Sequence, residues 1–231
     1  MDVETLEQRR LLTATVSEGY PGFYEVDGDA SNDTIAISVD QASGSFTLDN
    51  TTYTGVEYIV VNGGGGDDTL SVTSGDGSGT IGAAIVGGDG ADNISLNFDG
   101  AIWGGEGNDT INISDSFYGE VYGEGGDDQM FVTGECVDAR IEGGDGDDSI
   151  DCSGNNYSVM VFGGYGDDTI IGSNYDDQLY GEAGSDSVVG GDGNDTFSNT
   201  DNGDTLDGGN GYDVAYASGS SPTMSNIEAV Y

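Results

Sequence analysis

The sequence predicts an all-β chain, a right-handed parallel β-helix that narrows into a parallel β-roll. Three observations carry this reading. Residues 163–216 divide without remainder into six blocks of nine, GGYGDDTII, GSNYDDQLY, GEAGSDSVV, GGDGNDTFS, NTDNGDTLD and GGNGYDVAY. Upstream the same loop returns at longer intervals, with blocks beginning at Gly63, Gly87, Gly104, Gly123, Gly143 and Gly163. Between loops the apolar residues alternate, and they line up in columns from one unit to the next. A unit of this kind cannot bury its apolar side alone and has to stack on its neighbours.

Residues 1–25 form an N-terminal targeting or capping segment. Their opening, MDVETLEQRRLL, lacks the apolar core of a signal peptide. Residues 26–162 form the β-helix, with one glycine-rich loop per coil. Its first, degenerate block is Gly28-Asp29-Ala30-Ser31-Asn32-Asp33, followed by a strand in which Ile35, Ile37 and Val39 alternate. Residues 44–62 read as two strands, around Phe46–Leu48 and Val56–Val61.

Four apolar columns follow. Leu70, Ile94, Ile111, Met130, Ile150 and Ile170 come just after each loop, with Val72, Leu96, Ile113, Val132 and Cys152 two residues on. Val61, Ile85, Ile102, Val121, Ile141 and Val161 come just before it, preceded two earlier by Ile59, Ala83, Gly100, Gly119, Ala139 and Val159. Two inward residues per strand make a wider coil than the nonapeptides, which have one, so the rod narrows at Gly163. The six nonapeptides fill residues 163–216, and 217–231 close the C-terminal end. No proline falls between Pro21 and Pro222, as continuous β-ladders require.

Composition limits what such a rod can do. The chain has 44 acidic and three basic residues, a formal charge of −41. A chain this acidic repels itself unless cations neutralise it, and nucleic acid is excluded as a partner for want of clustered Lys and Arg. No stretch approaches the ~20 apolar residues of a membrane span.

The loops suggest which cation. Glycines at the first, second and fourth places permit positive φ and leave carbonyl oxygens unshielded, and an Asp at the sixth place adds a charged oxygen. Oxygen-only ligands suit a hard ion, and about six to eight of them at flexible distances suit Ca2+ better than Mg2+. Zinc or copper would ask for His or Cys, and the chain has no His and two Cys. Loops recurring once per coil stack on one edge, where Asp68, Asp92, Asp109, Asp128, Asp148, Asp168, Asp186 and Asp204 should form a ladder, with Asp33 ahead of them. Asp177, Asp195 and Asp213 face the opposite edge once the nonapeptides begin. Some loops depart from the pattern: Glu124 and Ser173 replace the second Gly, Tyr175 the fourth, and Asn199-Thr200 the first two. The alternative is that these Asp simply close β-turns, although eight in register would then superimpose like charges with nothing to offset them.

The blocks resemble GGxGxDxUx, the nonapeptide of the repeats-in-toxin (RTX, hemolysin-type calcium-binding) family. The resemblance implies a calcium-binding parallel β-roll with ions between successive turns, held by the sixth-place Asp and by main-chain carbonyls of the glycine-rich loops. Carried onto this chain, it adds the loop positions Gly64, Gly66, Gly88, Gly90, Gly105, Gly107, Gly126, Gly144, Gly146, Gly164, Gly166, Gly184, Gly191, Gly193, Gly209 and Gly211 to the Asp ladders, for roughly six to ten ions. Separately, Leu6-Glu7-Gln8-Arg9-Arg10-Leu11-Leu12 resembles the LEPR-XLL motif of bacterial surface and secreted repeat proteins, with Gln8 in place of its Pro.

The expected function is a calcium-stabilised structural or adhesive module of a secreted or cell-surface protein, folding on calcium outside the cell. Modules with sites of this kind load at about 0.1–1 mM calcium, which places them outside the cell or on a bacterial surface. The rival is a polysaccharide-active β-helix enzyme, lyase- or epimerase-like, or a carbohydrate-binding module. Against an enzyme, only Arg140 and tyrosines offer a base, and no cationic cluster exists to neutralise a uronate. Ice binding is disfavoured because the third loop place is never Thr. An outward strip of Trp103, Tyr122 and Phe162, joined by Val86 and Met160, offers a face for carbohydrate or protein, or stacking within the sheet. Arg140 is expected to pair with Glu120 or Glu142. Cys152 falls in an apolar column and Cys136 in a far turn, leaving both a disulfide and free thiols open.

Overall fold

Each coil contributes one strand before its near-edge loop and one after it, because the loop's glycines and Asp reverse the chain between two short apolar runs. The computed structural model describes residues 14–75, 79–198, 200, 203–217 and 222–231. Among them the strands stack into two 12-stranded sheets. In the pre-loop sheet, Phe23–Asp27, Tyr58–Gly65, Gly82–Asp89, Gly100–Glu106, Gly119–Gly125 and their successors pair in parallel and in register, as Ile102 on Val121 and Val121 on Ile141 illustrate. In the post-loop sheet, Thr69–Ser74, Asn93–Leu96, Thr110–Ile113 and Gln129–Gly134 do the same. The result is the expected all-β parallel solenoid, and among the described residues no helix is long and apolar enough to cross a membrane. The LEPR-XLL-like residues 6–12 lie outside the described residues, as do 199, 201 and 202 of the fifth nonapeptide.

The core lies between the two sheets. All four apolar columns point into it, with Ile59, Val61, Leu70, Val72, Ile85, Ile94 and Ile102 fully enclosed. Burying each such side chain contributes about 1.5–3 kcal/mol. The wide coils need filling at their far turns, and Phe98, Phe117 and Cys136 supply it, all buried. From Thr169–Ile171 onward one inward residue per strand suffices, namely Ile170, Leu179, Val188, Phe197, Leu206 and Ala215.

The N-terminal end departs from the expectation of two strands over residues 44–62. Three are present: Ser45–Leu48, Thr51–Thr54 and Tyr58–Gly65. Asp49 and Asn50 both take positive φ (49° and 62°) between paired Leu48 and Thr51. Two left-handed residues in a two-residue loop make a hairpin whose twist matches its strands. The hairpin's first strand, Ser45–Leu48, runs antiparallel to Thr34–Asp40, and Thr15–Tyr20 runs antiparallel to Phe23–Asp27. Phe46 stacks on Tyr53 at 4.7 Å with Tyr24 edge-on at 5.4 Å. This end of both sheets is thereby covered with non-solenoid strands, which blunts an open edge. At the other end, Thr223–Ser225 and Ala229–Val230 continue the parallel stack on Thr205–Asn210 and Val214–Ala215.

Candidate metal centre

The second loop place has to turn left-handed for the chain to enter the loop, which is why glycine dominates there. Gly64 has φ 103° and Gly144 φ 123°, a region that other residues adopt at a cost. Glu124 and Glu182 nevertheless hold the same conformation, at φ 76° and 73°. The substitution of Glu124 noted in the sequence therefore leaves its loop's path intact.

The sixth-place Asp side chains turn inward beneath these loops and form the expected ladders. The bonding is more specific than repulsion between stacked charges suggested. Each Asp N–H donates to Oδ1 of the Asp one coil further on: Asp68 to Asp92 at 2.7 Å, Asp92 to Asp109 at 2.8 Å, Asp109 to Asp128 at 2.7 Å and Asp128 to Asp148 at 2.8 Å. The near edge begins with Asp33 donating to Asp68 and continues through Asp168 and Asp186 to Asp204. On the far edge the run is Val159 to Asp177, Asp177 to Asp195 and Asp195 to Asp213. These bonds run between coils and engage Oδ1; a turn-closing bond within the loop is made where the Asp29 and Ser173 N–H groups donate to Oδ2 of Asp33 and Asp177.

The other oxygen is the informative one. Oδ2 of Asp68, Asp92, Asp109, Asp128, Asp148, Asp168, Asp195 and Asp213 is buried with no hydrogen-bond partner. A buried carboxylate oxygen without a donor is costly unless something positive meets it. Each such oxygen lies close against the first glycine of its own loop, beside a carbonyl oxygen from the next coil. A β-carbon on Gly143 would collide with Asp148 Oδ2 and with the carbonyl oxygen of Gly163 one coil on, and the same holds at Gly163 for Asp168 Oδ2 and the Gly181 carbonyl. Gly190 repeats the arrangement on the far edge with Asp195 Oδ2 and the Gly208 carbonyl.

Burial pushes the carboxyls of Asp109, Asp128, Asp168 and Asp195 up to about 7, and those of Asp68 and Asp148 up to about 6. Their inter-coil N–H donors pull the other way, and neighbouring acids add to the rise. Among the described residues no three His, Cys, Asp or Glu side chains converge on one point. A hard cation is the group these residues fit, with carboxylate Oδ2 and loop carbonyls as its oxygens.

Asp177 differs, and the sequence signal was Ser173. Ser173 lies outside the left-handed region, and its N–H (2.6 Å) donates to Asp177 Oδ2 while its hydroxyl (2.9 Å) donates to Oδ1. Asp29 holds the same place in the first block and likewise donates its N–H to Asp33 Oδ2 at 2.8 Å. Where the second place is not left-handed, the protein itself fills the carboxylate's second oxygen.

A family model for the RTX calcium-binding nonapeptide repeat matches in four copies, at residues 60–78, 101–112, 138–156 and 162–197. The chain carries RTX calcium-binding repeats. It contains a calcium-binding structural module, and the stacked RTX loops hold the buried oxygens just described. A comparison with curated proteins finds no match.

The RTX loops leave the outward aromatic strip to be explained. Trp103 stacks on Tyr122 (6.1 Å, 13°) and Phe162 on Tyr180 (4.5 Å, 8°). Glu142 lies in register between Tyr122 and Phe162, and it pairs with Arg140 at 2.6 Å. The Arg140 guanidinium in turn sits 4.0 Å from the Phe162 ring centre. Ring faces are thus spent on neighbouring rings and on a cation, the stacking alternative of the sequence reading. Cys136 and Cys152 are both buried free thiols. Burial pushes Cys136 up to about 12, so it behaves as a small apolar residue.

Proposed function

We propose that the chain is a calcium-loaded spacer or adhesive module of a secreted or cell-surface protein, and that it folds on meeting calcium outside the cell. The observation that carries this reading is the row of buried, partnerless Oδ2 atoms from Asp68 to Asp168 on one edge and at Asp195 and Asp213 on the other. So acidic a chain, at −41, needs an external positive charge to enclose these oxygens, and calcium supplies it when bound. Because binding free energy then becomes folding free energy, the metal-free chain is expanded.

The ligand set we assign is the sixth-place Asp of each left-handed loop with carbonyls of its glycine-rich segment, Gly144 and Gly146 with Asp148 being one example. We divide the chain functionally at Gly163. The wide coils before it draw their stability from a two-residue-deep apolar core, whereas the nonapeptides after it bury one apolar residue per strand and depend more on metal, on both edges. Sites on modules of this kind load at about 0.1–1 mM, which favours an extracellular setting. A non-enzymatic role is supported by the dispersal of the carboxylates along ladders and by the engagement of Arg140 with Glu142 and Phe162.

A calcium titration of the chelated chain, followed together by far-UV circular dichroism and small-angle scattering, tests the proposal. Strand signal and compaction should appear together as calcium rises through the sub-millimolar range. An unchanged spectrum and radius from chelator to excess calcium would remove the basis for the reading.

A further inference from the structure

The far-edge ladder does not end at its last nonapeptide. Parallel pairing sets Val214 opposite Ala229 and Ala215 opposite Val230, so Glu228 occupies the column of Asp213 one coil further on. It also makes the bond an Asp makes there. The N–H of Asp213 donates to Glu228 Oε2 at 2.8 Å, matching the 2.8 Å from Asp195 N–H to Asp213 Oδ1. The backbone ladder is continuous across the same step, with Ala229 N–H on the Asp213 carbonyl at 3.1 Å and Val214 N–H on that of Asp195 at 2.9 Å.

The loop, however, is cut short. Asn226 takes the place of a first glycine, left-handed at φ 52°, and a single residue separates it from Glu228. The longer Glu side chain spans what the missing loop residues would have covered. Beneath it lies the same orphaned oxygen as in the other loops. Asp213 Oδ2 is fully buried and partnerless, and a β-carbon on Gly208 would collide with both that oxygen and the Asn226 carbonyl oxygen. The last complete loop, Gly208 to Asp213, thus sets one orphaned oxygen beside a main-chain carbonyl, and the coil above it offers a second carboxylate on the Asp213 N–H from a turn that is no GGxGxD loop, beyond the residues matched by the repeat model.

We infer that Asp213, Glu228 and the Asn226 carbonyl form a terminal calcium site that clamps residues 222–231 onto the rod. It rests on the calcium reading of the internal loops and adds a ligand of a different residue type to it. Calcium accepts six to eight oxygens in loose geometry, so a Glu presented from a shorter turn can replace an Asp, with water completing the shell. Without the ion, the Glu228 and Asp213 carboxylates repel each other across the last coil, and the terminal strands Thr223–Ser225 and Ala229–Val230 lose their hold.

The test uses the full chain with and without calcium, counting bound ions by mass spectrometry of the metal and reading hydrogen exchange over residues 222–231. Wild type should bind several ions and protect this segment only with calcium. Glu228→Gln keeps an acceptor for the Asp213 N–H while removing the charge. It should lose about one ion per chain and lose the protection of 222–231, with the internal coils unchanged. If Glu228→Gln keeps both the ion count and the protection, Glu228 is a hydrogen-bonding cap and the inference falls. If wild type itself binds no calcium, the underlying reading fails as well, so the two failures are told apart by the wild-type arm.

Discussion

Asp128 donates its main-chain N–H to Oδ1 of Asp148 at 2.8 Å, across one full coil, while Oδ2 of the same Asp148 meets no donor at all. One carboxylate thus has two separable duties. Asp148→Asn keeps an acceptor for the Asp128 N–H and weakens only the metal, so its folding midpoint should move to higher calcium. Asp148→Ala also strands a buried N–H, at about 1–3 kcal/mol. In saturating calcium, chemical denaturation should rank wild type above Asn and Asn above Ala. Asp115, which is exposed and left-handed at φ 62°, should tolerate Asn with little change.

Ser173 gives a prediction in the opposite direction. Its N–H and hydroxyl occupy the Asp177 carboxylate, because its backbone is not left-handed as that of Gly191 (φ 115°) is. Ser173→Gly should let the loop adopt the left-handed turn, free Asp177 Oδ2 and add about one calcium ion. Isothermal titration against wild type measures the added equivalent. A Ser173→Gly chain of unchanged stoichiometry would show that the neighbouring Tyr175 blocks the site as well.

Acid should partly substitute for calcium. Burial pushes the Asp148 carboxyl up to about 6 and that of Asp168 up to about 7 in the folded chain, against ~3.9 when unfolded. A raised folded value means the folded state holds protons more tightly, so this contribution favours folding fully below pH ~4 and is lost as pH climbs through 6 to 7. In chelator, strand signal in circular dichroism should therefore grow as pH falls from 8 to 4. In calcium the midpoint should rise on acidification, because protons and metal compete for the same oxygens.

Phe197 is the largest inward residue of the narrow coils and is fully buried. Phe197→Ala should cost about 3–5 kcal/mol and, since each coil contacts only its neighbours, should loosen the coils on either side first. Hydrogen exchange in calcium should show faster exchange over Gln178–Ala183 and Val214–Ala215 than over Gly82–Asp89.

The columns from Leu70 to Ile170 and the Asp ladders were legible because a solenoid repeats its environment, so each position is seen several times over. What escaped lies where the repetition stops. The strand Thr51–Thr54 has no equivalent in other coils, and its signal was the short Asp49-Asn50 turn. Phe98 and Phe117 fill far turns whose lengths vary between coils, which leaves them out of any fixed column. Glu228 was missed because a search for Asp at the sixth place of a glycine loop cannot find a Glu reached through a shortened one. The apolar Ala229-Val230 after it was the available clue, mirroring Val214-Ala215 after Asp213. Ser173 was noticed as a departure, but only backbone geometry shows that it brings its own donors to Asp177.

The hydrogen bonds between ladder Asp residues all run one way, from an N–H to the carboxylate of the next coil toward the C-terminus. The rod is therefore polar in the sense that a filament is, with chemically distinct ends. Trimming coils from the leading end would free a carboxylate oxygen, whereas trimming from the trailing end would bare an N–H and the oxygens beneath it. Every new front terminus would need covering strands of the kind Ser45–Leu48 and Thr51–Thr54 provide, and every new rear terminus a substitute carboxylate of the kind Glu228 provides.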